Sequence, residues 1–415
     1  MIDYSRIDFP SGLKLIVHQD ESTPMVAINI LYGVGSKNES SSKTGFAHLF
    51  EHLMFSGSEN VPDFDLPIQM AGGENNAFTN SDMTNFYNIV PKENLETVLW
   101  VESDRMRSLI VDQTNLDIQK KVVVEEFKET CLNQPYGDMW HHMCDLVYTK
   151  HNYNWPTIGK EVAHIEKASL VDVKSFYDTF YNPSNAIVSI VGNVNTSKVI
   201  DLIDRYFPTI SEEEKVGEMI VTCESEPEQT NYRKKELKAD VPADAIFLGF
   251  RMGARNTPEY YRADLLSDVL ANGRSSMFHT NLYKKTDYFT TIDAYISGTI
   301  DDGLLLIEAK INSERNTDEA YDLIWAELEK LKSEKLSENV LQKLINKIEA
   351  AQVYNELSVL NKAINLSFFT YLGDTEMINT QVKEYARITA EDIQACAQKL
   401  FVKENCTEIR YVKSS

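Results

Sequence analysis

Thr44-Gly45-Phe46-Ala47-His48-Leu49-Phe50-Glu51-His52-Leu53-Met54-Phe55 reads as a short helix carrying two histidines and a glutamate on an apolar body. At about 100° per residue, Glu51 lies roughly 60° to one side of His48 and His52 roughly 40° to the other. Both imidazoles and the carboxylate therefore share one face. Ala47, Leu49, Phe50, Leu53, Met54 and Phe55 wrap the rest, so the polar face is set into a core. Burying such groups without partners costs on the order of several kcal/mol. Two neutral nitrogen donors one turn apart, with a base beside them, are what a hydrolytic zinc site needs.

Working outward, Val26–Tyr32 is an apolar strand that Gly33-Val34-Gly35-Ser36 breaks, and a polar loop leads into the histidine helix. Downstream, residues 71–80 and 84–90 read as two strands joined at Ser81-Asp82. The first is rich in Gly and Asn and poor in large side chains. Alone it reads as an ordinary hairpin arm; its functional reading is an edge that pairs with an extended peptide. Residues 93–108 and 114–132 read as helices, and the second carries Glu125, Glu126 and Glu129.

The second half repeats the first. Ser169-Leu170-Val171-Asp172 and Thr389-Ala390-Glu391-Asp392 are both capping boxes, at an offset of 220 that also aligns Asn185 with Asn405. Ala245–Phe250 echoes the strand at 26–32. The helix from Tyr260 to Leu270 echoes the histidine helix but offers Asp264, Leu265, Ser267 and Asp268. Two halves share one architecture and only the first has metal chemistry, so the fold itself does not require the histidines. The expected division is a zinc-bearing catalytic half at 1–210, an acidic linker at 211–234 and a half without ligands at 235–415.

The chain has 415 residues, 43% hydrophobic and 25% charged, enough for sizeable cores. A formal charge of −22 argues against nucleic acid and anionic membrane as partners. Five cysteines, with no C-x-x-C pair, suggest free thiols in a reducing compartment. No signal-like h-region or bilayer-length apolar stretch is present, so the expectation is a cytoplasmic protein.

A catalytic zinc takes a third protein ligand. The residues alone leave Glu125, Glu126, Glu129, His141 and His142 open. The pattern Gly35-Ser36-x-x-Glu39, Gly45-x-Ala47-His48-x-x-Glu51-His52-x-x-Phe55-x-Gly57, Gly72-Gly73-x-Asn75-Asn76-Ala77-x-Thr79, Val122–Glu126 and Asn182-Pro183-x-Asn185-Ala186 resembles the pitrilysin/insulinase family of zinc metallopeptidases, whose H-x-x-E-H order inverts H-E-x-x-H. The resemblance covers essentially the whole chain.

That resemblance implies an α+β fold of two homologous halves, each a mostly antiparallel sheet with helices packed on it. It also implies a zinc-dependent endopeptidase acting on peptides or unfolded segments through a zinc-activated water, in a chamber formed by paired two-domain units. His48, His52 and Glu126 would hold Zn²⁺, and Glu51 would be the base. Substrate would lie along Asn75, Asn76, Ala77, Phe78 and Thr79. Two departures matter. A glutamate common in the family seven residues before the third ligand is here Gln119, which could still hydrogen-bond a ligand histidine. The family's substrate-contacting Arg and Tyr correspond to Tyr283 and Thr290. The expectation is therefore a dimer, in one version a heterodimer whose related, zinc-free subunit supplies the pair. In the other version the chain works alone or with its own copy, using residues such as Arg274 or Lys284.

Overall fold

The structure, a computed structural model, describes residues 1–207 and 223–414. It divides into two compact units, both discontinuous in sequence. The first takes Met1–Lys128, Trp155–Glu224 and Val353–Asn379; the second takes Glu129–Asn154, Ser225–Gln352 and Thr380–Ser415. Each unit thus includes a segment that the linear division at 1–210 and 235–415 assigns to the other half. Of the expected linker, 211–222 lies outside the described residues. Its remainder is anchored by Glu226, whose carboxylate accepts the backbone N–H groups of Thr149, Lys150 and His151 at 2.7–2.9 Å.

The first unit holds a six-stranded sheet: β1 (Ser5–Asp8), β2 (Lys14–Gln19), β3 (Met25–Tyr32), β4 (Glu74–Thr79), β5 (Thr84–Pro91) and β6 (Ala186–Gly192). The order is β1-β2-β6-β3-β5-β4. Every pairing is antiparallel except β2 with β6. Alternate residues serve opposite faces. Val26, Ile28, Ile30 and Tyr32 join a core built with the helices Phe46–Leu53, Leu95–Ser108, Gln113–Phe127 and Leu170–Phe180. Ala27 and Leu31, with Ile16, Ile187 and Val191, pack on the other face against Ala363, Leu366 and Phe369 of the helix Val359–Tyr371. A buried chain of Asn85, Asn29, Ser367 and Ser189, linked at 2.5–3.0 Å, fixes that helix on the sheet.

The second unit repeats the topology: β7 (Arg233–Ala239), β8 (Ala245–Arg251), β9 (Phe289–Ile296), β10 (Leu304–Ile311) and β11 (Cys406–Lys413), in the order β7-β11-β8-β10-β9. Here too one pairing is parallel, β7 with β11. Both predicted capping boxes form. The helix Met139–Val147 packs on this sheet, with Met139, Met143 and Val147 beside Phe247, Leu306 and Tyr411. Gly249 makes room for it, since a Cβ there would meet Met143 Sδ at 2.8 Å. The fold is therefore α+β: two copies of one mostly antiparallel sheet with helices packed on it.

Two elements differ from expectation in extent. The strand at 71–80 is confined to Glu74–Thr79, because Gly72 takes φ +71° and turns the chain before it. The helix expected over 114–132 is α-helical from Gln113 to Phe127 and widens into a π turn at Lys128–Leu132. The chain folds back on that turn at Gly137, where a Cβ would lie 2.3 Å from the Thr130 carbonyl oxygen. No disulfide joins any of the five cysteines among the described residues. No described helix is long and apolar enough to cross a membrane.

Candidate metal centre

The histidine helix spans Phe46–Leu53 and starts at Gly45, whose φ of +85° belongs to the left-handed region. A Cβ at Gly45 would also lie 2.8 Å from the Ile158 carbonyl oxygen. The first turn is held by Glu39. Its buried carboxylate accepts the N–H groups of Gly45 and Ala47, both at 2.8 Å, and Trp155 Nε1–H at 3.1 Å. Burial outweighs the lowering effect of these donors and leaves the Glu39 carboxyl raised to about 8. The apolar back of the helix is seated by Phe50, which stacks on Phe176 and Tyr181 at 5.2 and 5.1 Å.

The opposite face presents His48 and His52, their rings edge-to-face at 4.9 Å. The second element is the helix Gln113–Phe127, whose Glu126 reaches both. His48 Nε2 and His52 Nε2 are 3.4 Å apart. His48 Nε2 lies 3.6 Å from Glu126 Oε1 and His52 Nε2 lies 3.4 Å from Glu126 Oε2. A tetrahedral ion with bonds of about 2.0–2.1 Å has ligand–ligand edges of about 3.3–3.4 Å. The two imidazole nitrogens are thus one such edge apart, each with a Glu126 oxygen at about the same distance, and one ligand atom from each of the three residues lies within 4.8 Å of the others. Among the described residues, this is the one group of three or more His, Cys, Asp or Glu side chains that could hold a metal ion.

Protonation suits the same use. Burial holds the His48 pKa below the ordinary imidazole value, with the charges of Glu126 and Glu51 opposing. The hydrogen bond from His52 keeps the Glu126 carboxyl below the usual carboxylate range, against its partial burial. The donor set is thus a neutral His48, a second imidazole and an ionised carboxylate, the ligand forms that zinc takes. His48 Nδ1 is buried and has no hydrogen-bond partner among the described residues. The converging atoms are satisfied either by the proton that His52 donates to Glu126 or by a cation seated among the three residues.

Glu51 is half-buried on the same helix, near enough for its charge to act on His48. Gln119 is half-buried, and no hydrogen bond joins it to either histidine among the described residues. Of the other ligand candidates, Glu125 is exposed and pairs with Lys128 at 2.6 Å, and Glu129 is exposed. His142 belongs to the second unit, held by Asp138 and Lys235. Asn75–Thr79 form most of β4, the outermost strand of its sheet, beside the histidine helix. Ala77 packs with the core on that helix's side and Phe78 with the core on the opposite face. Tyr283 is exposed and stacked on His279 at 5.2 Å, and Thr290 lies on the edge strand β9 with its hydroxyl on the Lys310 carbonyl. Sequence reasoning noted Glu39 as part of a pattern but gave it no role; its spacing to the histidine helix was the available signal.

The family model described as Insulinase (Peptidase family M16) matches residues 14–145, and that described as Peptidase M16 inactive domain matches 167–348. The chain belongs to peptidase family M16, the insulinase family. The match described as inactive falls largely on the half without histidine ligands. M16 relatives cover the chain end to end. "Zinc protease PqqE" of Helicobacter pylori is 27% identical over 410 residues, 98% of this chain and 92% of the relative. The crystal structure of a protease from Helicobacter pylori superposes with a TM-score of 0.94 at 26% identity, covering 99% of both chains. The mitochondrial-processing peptidase subunit beta of Saccharomyces cerevisiae is 21% identical over 63% of this chain and 57% of its own.

Proposed function

We propose that this M16 chain is a zinc-dependent endopeptidase acting on peptides or unfolded segments. The observation that carries the reading is the convergence of His48 Nε2, His52 Nε2 and the Glu126 carboxylate at 3.4–3.6 Å. These three residues would hold the zinc, which when bound supplies a Lewis acid for the scissile carbonyl and lowers the pKa of water in the site. Glu51 takes the proton of the attacking water and returns it to the leaving amine. Glu39 holds the turn that aims His48. Gln119, seven residues before Glu126, is within the same helix and would orient a ligand histidine only after a change of its present side-chain position.

Substrate would lie extended along the outer edge of β4, from Asn75 to Thr79, through backbone hydrogen bonds that make little demand on sequence. With Tyr283 and Thr290 at the positions of the substrate-contacting pair, the working form is a dimer of two-domain units around a chamber. In the favoured version a related subunit without zinc supplies the pair. The name "subunit beta" of one relative supports a multi-chain arrangement. The alternative is a scaffold that has lost catalysis, and the intact donor set argues against it. Metal analysis followed by hydrolysis of a quenched peptide library, with and without chelator, tests the function. A chain without zinc, or hydrolysis indifferent to chelator, would refute it.

A further inference from the structure

The open edge of β4 can be assigned group by group. Asn80 N–H donates to the Met83 carbonyl at 3.0 Å and closes the hairpin turn. Hydrogen-bonded and non-hydrogen-bonded pairs then alternate away from it. Thr79 with Thr84, Ala77 with Phe86 and Asn75 with Asn88 are the non-hydrogen-bonded pairs of the register. The backbone N–H and C=O groups of Asn75, Ala77 and Thr79 therefore face away from β5, toward the edge that no described strand occupies. These are the groups that an added strand uses.

One of them is already taken. Ala77 N–H donates to Asn76 Oδ1 at 2.8 Å. The carboxamide oxygen stands in for the carbonyl oxygen of an incoming strand. Asn76 is exposed, and this is the one hydrogen bond of its side chain among the described residues, so rotating it away breaks nothing else. Neighbouring Asn75, by contrast, is tied by its side chain to Asp65 at 3.0 Å.

We propose that Asn76 is a displaceable cap on the substrate-receiving edge: it occupies the Ala77 N–H in the free protein and rotates out when an extended peptide adds to β4. This rests on the peptidase reading with substrate along β4. The cap has two effects. It competes with every peptide for one backbone hydrogen bond, and it blunts an edge that would otherwise pair with other chains. Asn76 is on this account a positioning residue, because it acts through the Ala77 amide.

The test uses the 415-residue, zinc-loaded chain carrying Glu51→Gln, so that bound peptide persists. A fluorescein-labelled extended peptide of zero net charge is titrated by anisotropy into this protein and into versions that add Asn76→Ala or Asn76→Asp. Amide hydrogen exchange at Ala77 is followed in the free proteins. Asn76→Ala should bind the peptide about two- to ten-fold tighter, the worth of one neutral hydrogen bond, and its Ala77 amide should exchange faster. Asn76→Asp should do the reverse on both measures, because an ionised acceptor holds the N–H more strongly. Unchanged Ala77 exchange in Asn76→Ala, or weaker peptide binding by it, overturns the proposal. Exchange that responds as expected while no variant binds peptide overturns displacement by substrate and the peptidase reading together, leaving edge protection alone.

Discussion

The amide nitrogen of Ala47, the residue before His48, lies 2.8 Å from Oε1 of Glu39. A carboxyl group at the first turn of a helix accepts from N–H groups that have no intrahelical partner. Here it does so for the helix that carries both histidines. Glu39→Ala should lower stability by about 2–4 kcal/mol, since it leaves buried N–H groups of Gly45, Ala47 and Trp155 short of an acceptor. Zinc affinity should fall at least tenfold, by the logic of outer partners that orient ligands. Denaturant unfolding and chelator competition measure the two; zinc affinity equal to that of the unsubstituted chain refutes the positioning role.

Glu51→Gln keeps the shape of the side chain and removes its ability to take a proton. Zinc content should be unchanged, and peptide hydrolysis should drop about 10²- to 10⁴-fold. Metal analysis beside single-turnover hydrolysis checks this, and undiminished turnover removes Glu51 from the chemistry.

Removing the ion should cost stability as well as activity. Zinc at 100 times its Kd adds about 2.7 kcal/mol, so chelator should lower the Tm of the first unit by about 5–10 °C. Glu126→Ala should lose most of that response, because it removes one of three donors. A chelator response equal to that of the unsubstituted chain would assign the third ligand elsewhere.

The helix Val359–Tyr371 is tied to the end of β2 by Lys362, whose ammonium meets the Asp20 carboxylate. Burial raises the Asp20 pKa, but the hydrogen bonds from Lys362 and Ser22 outweigh it and hold the carboxyl well below its usual range. A depressed folded-state pKa stabilises at pH above the unfolded value near 4, and the contribution disappears as pH falls through the folded value. Asp20→Asn should therefore destabilise by about 1–3 kcal/mol at pH 7 and by progressively less below pH 4. Urea midpoints for both proteins from pH 7 to pH 2 give the curve; a difference independent of pH defeats the assignment.

The histidine helix was legible because its polar face contradicts its apolar body, and the repeat because both capping boxes recur at one offset. The hairpin of β4 and β5 announced itself by turn residues and alternation. The third ligand was not legible from residue type: Glu125, Glu126 and Glu129 are equivalent until the helix Gln113–Phe127 is placed, and family resemblance made the choice. Nor could the sequence say which sheet Met139–Val147 or Val359–Tyr371 would cover. Their apolar positions fit either sheet, and the decision lies in long-range fit such as Gly249 beside Met143. The buried pair of Glu102 and Arg105, 2.6 Å apart, was hidden for a similar reason. Charged residues on a helix read as a solvent face until Phe64 and Phe86, each with its ring centre 4.3 Å from the Arg105 guanidinium carbon, are brought over them.

The seating of Val359–Tyr371 on the first sheet has a consequence for biosynthesis. Ile16, Ala27, Leu31 and Val191 are all translated early, yet the helix that covers them leaves the ribosome more than 150 residues after the last of these strands. Until then one face of the first unit's sheet is exposed hydrophobic surface, the kind that invites aggregation or chaperones. A nascent chain stalled between residues 192 and 359 should therefore carry His48, His52 and Glu126 and still lack the cover its sheet needs, which ties maturation of the candidate metal centre to completion of nearly the whole polypeptide.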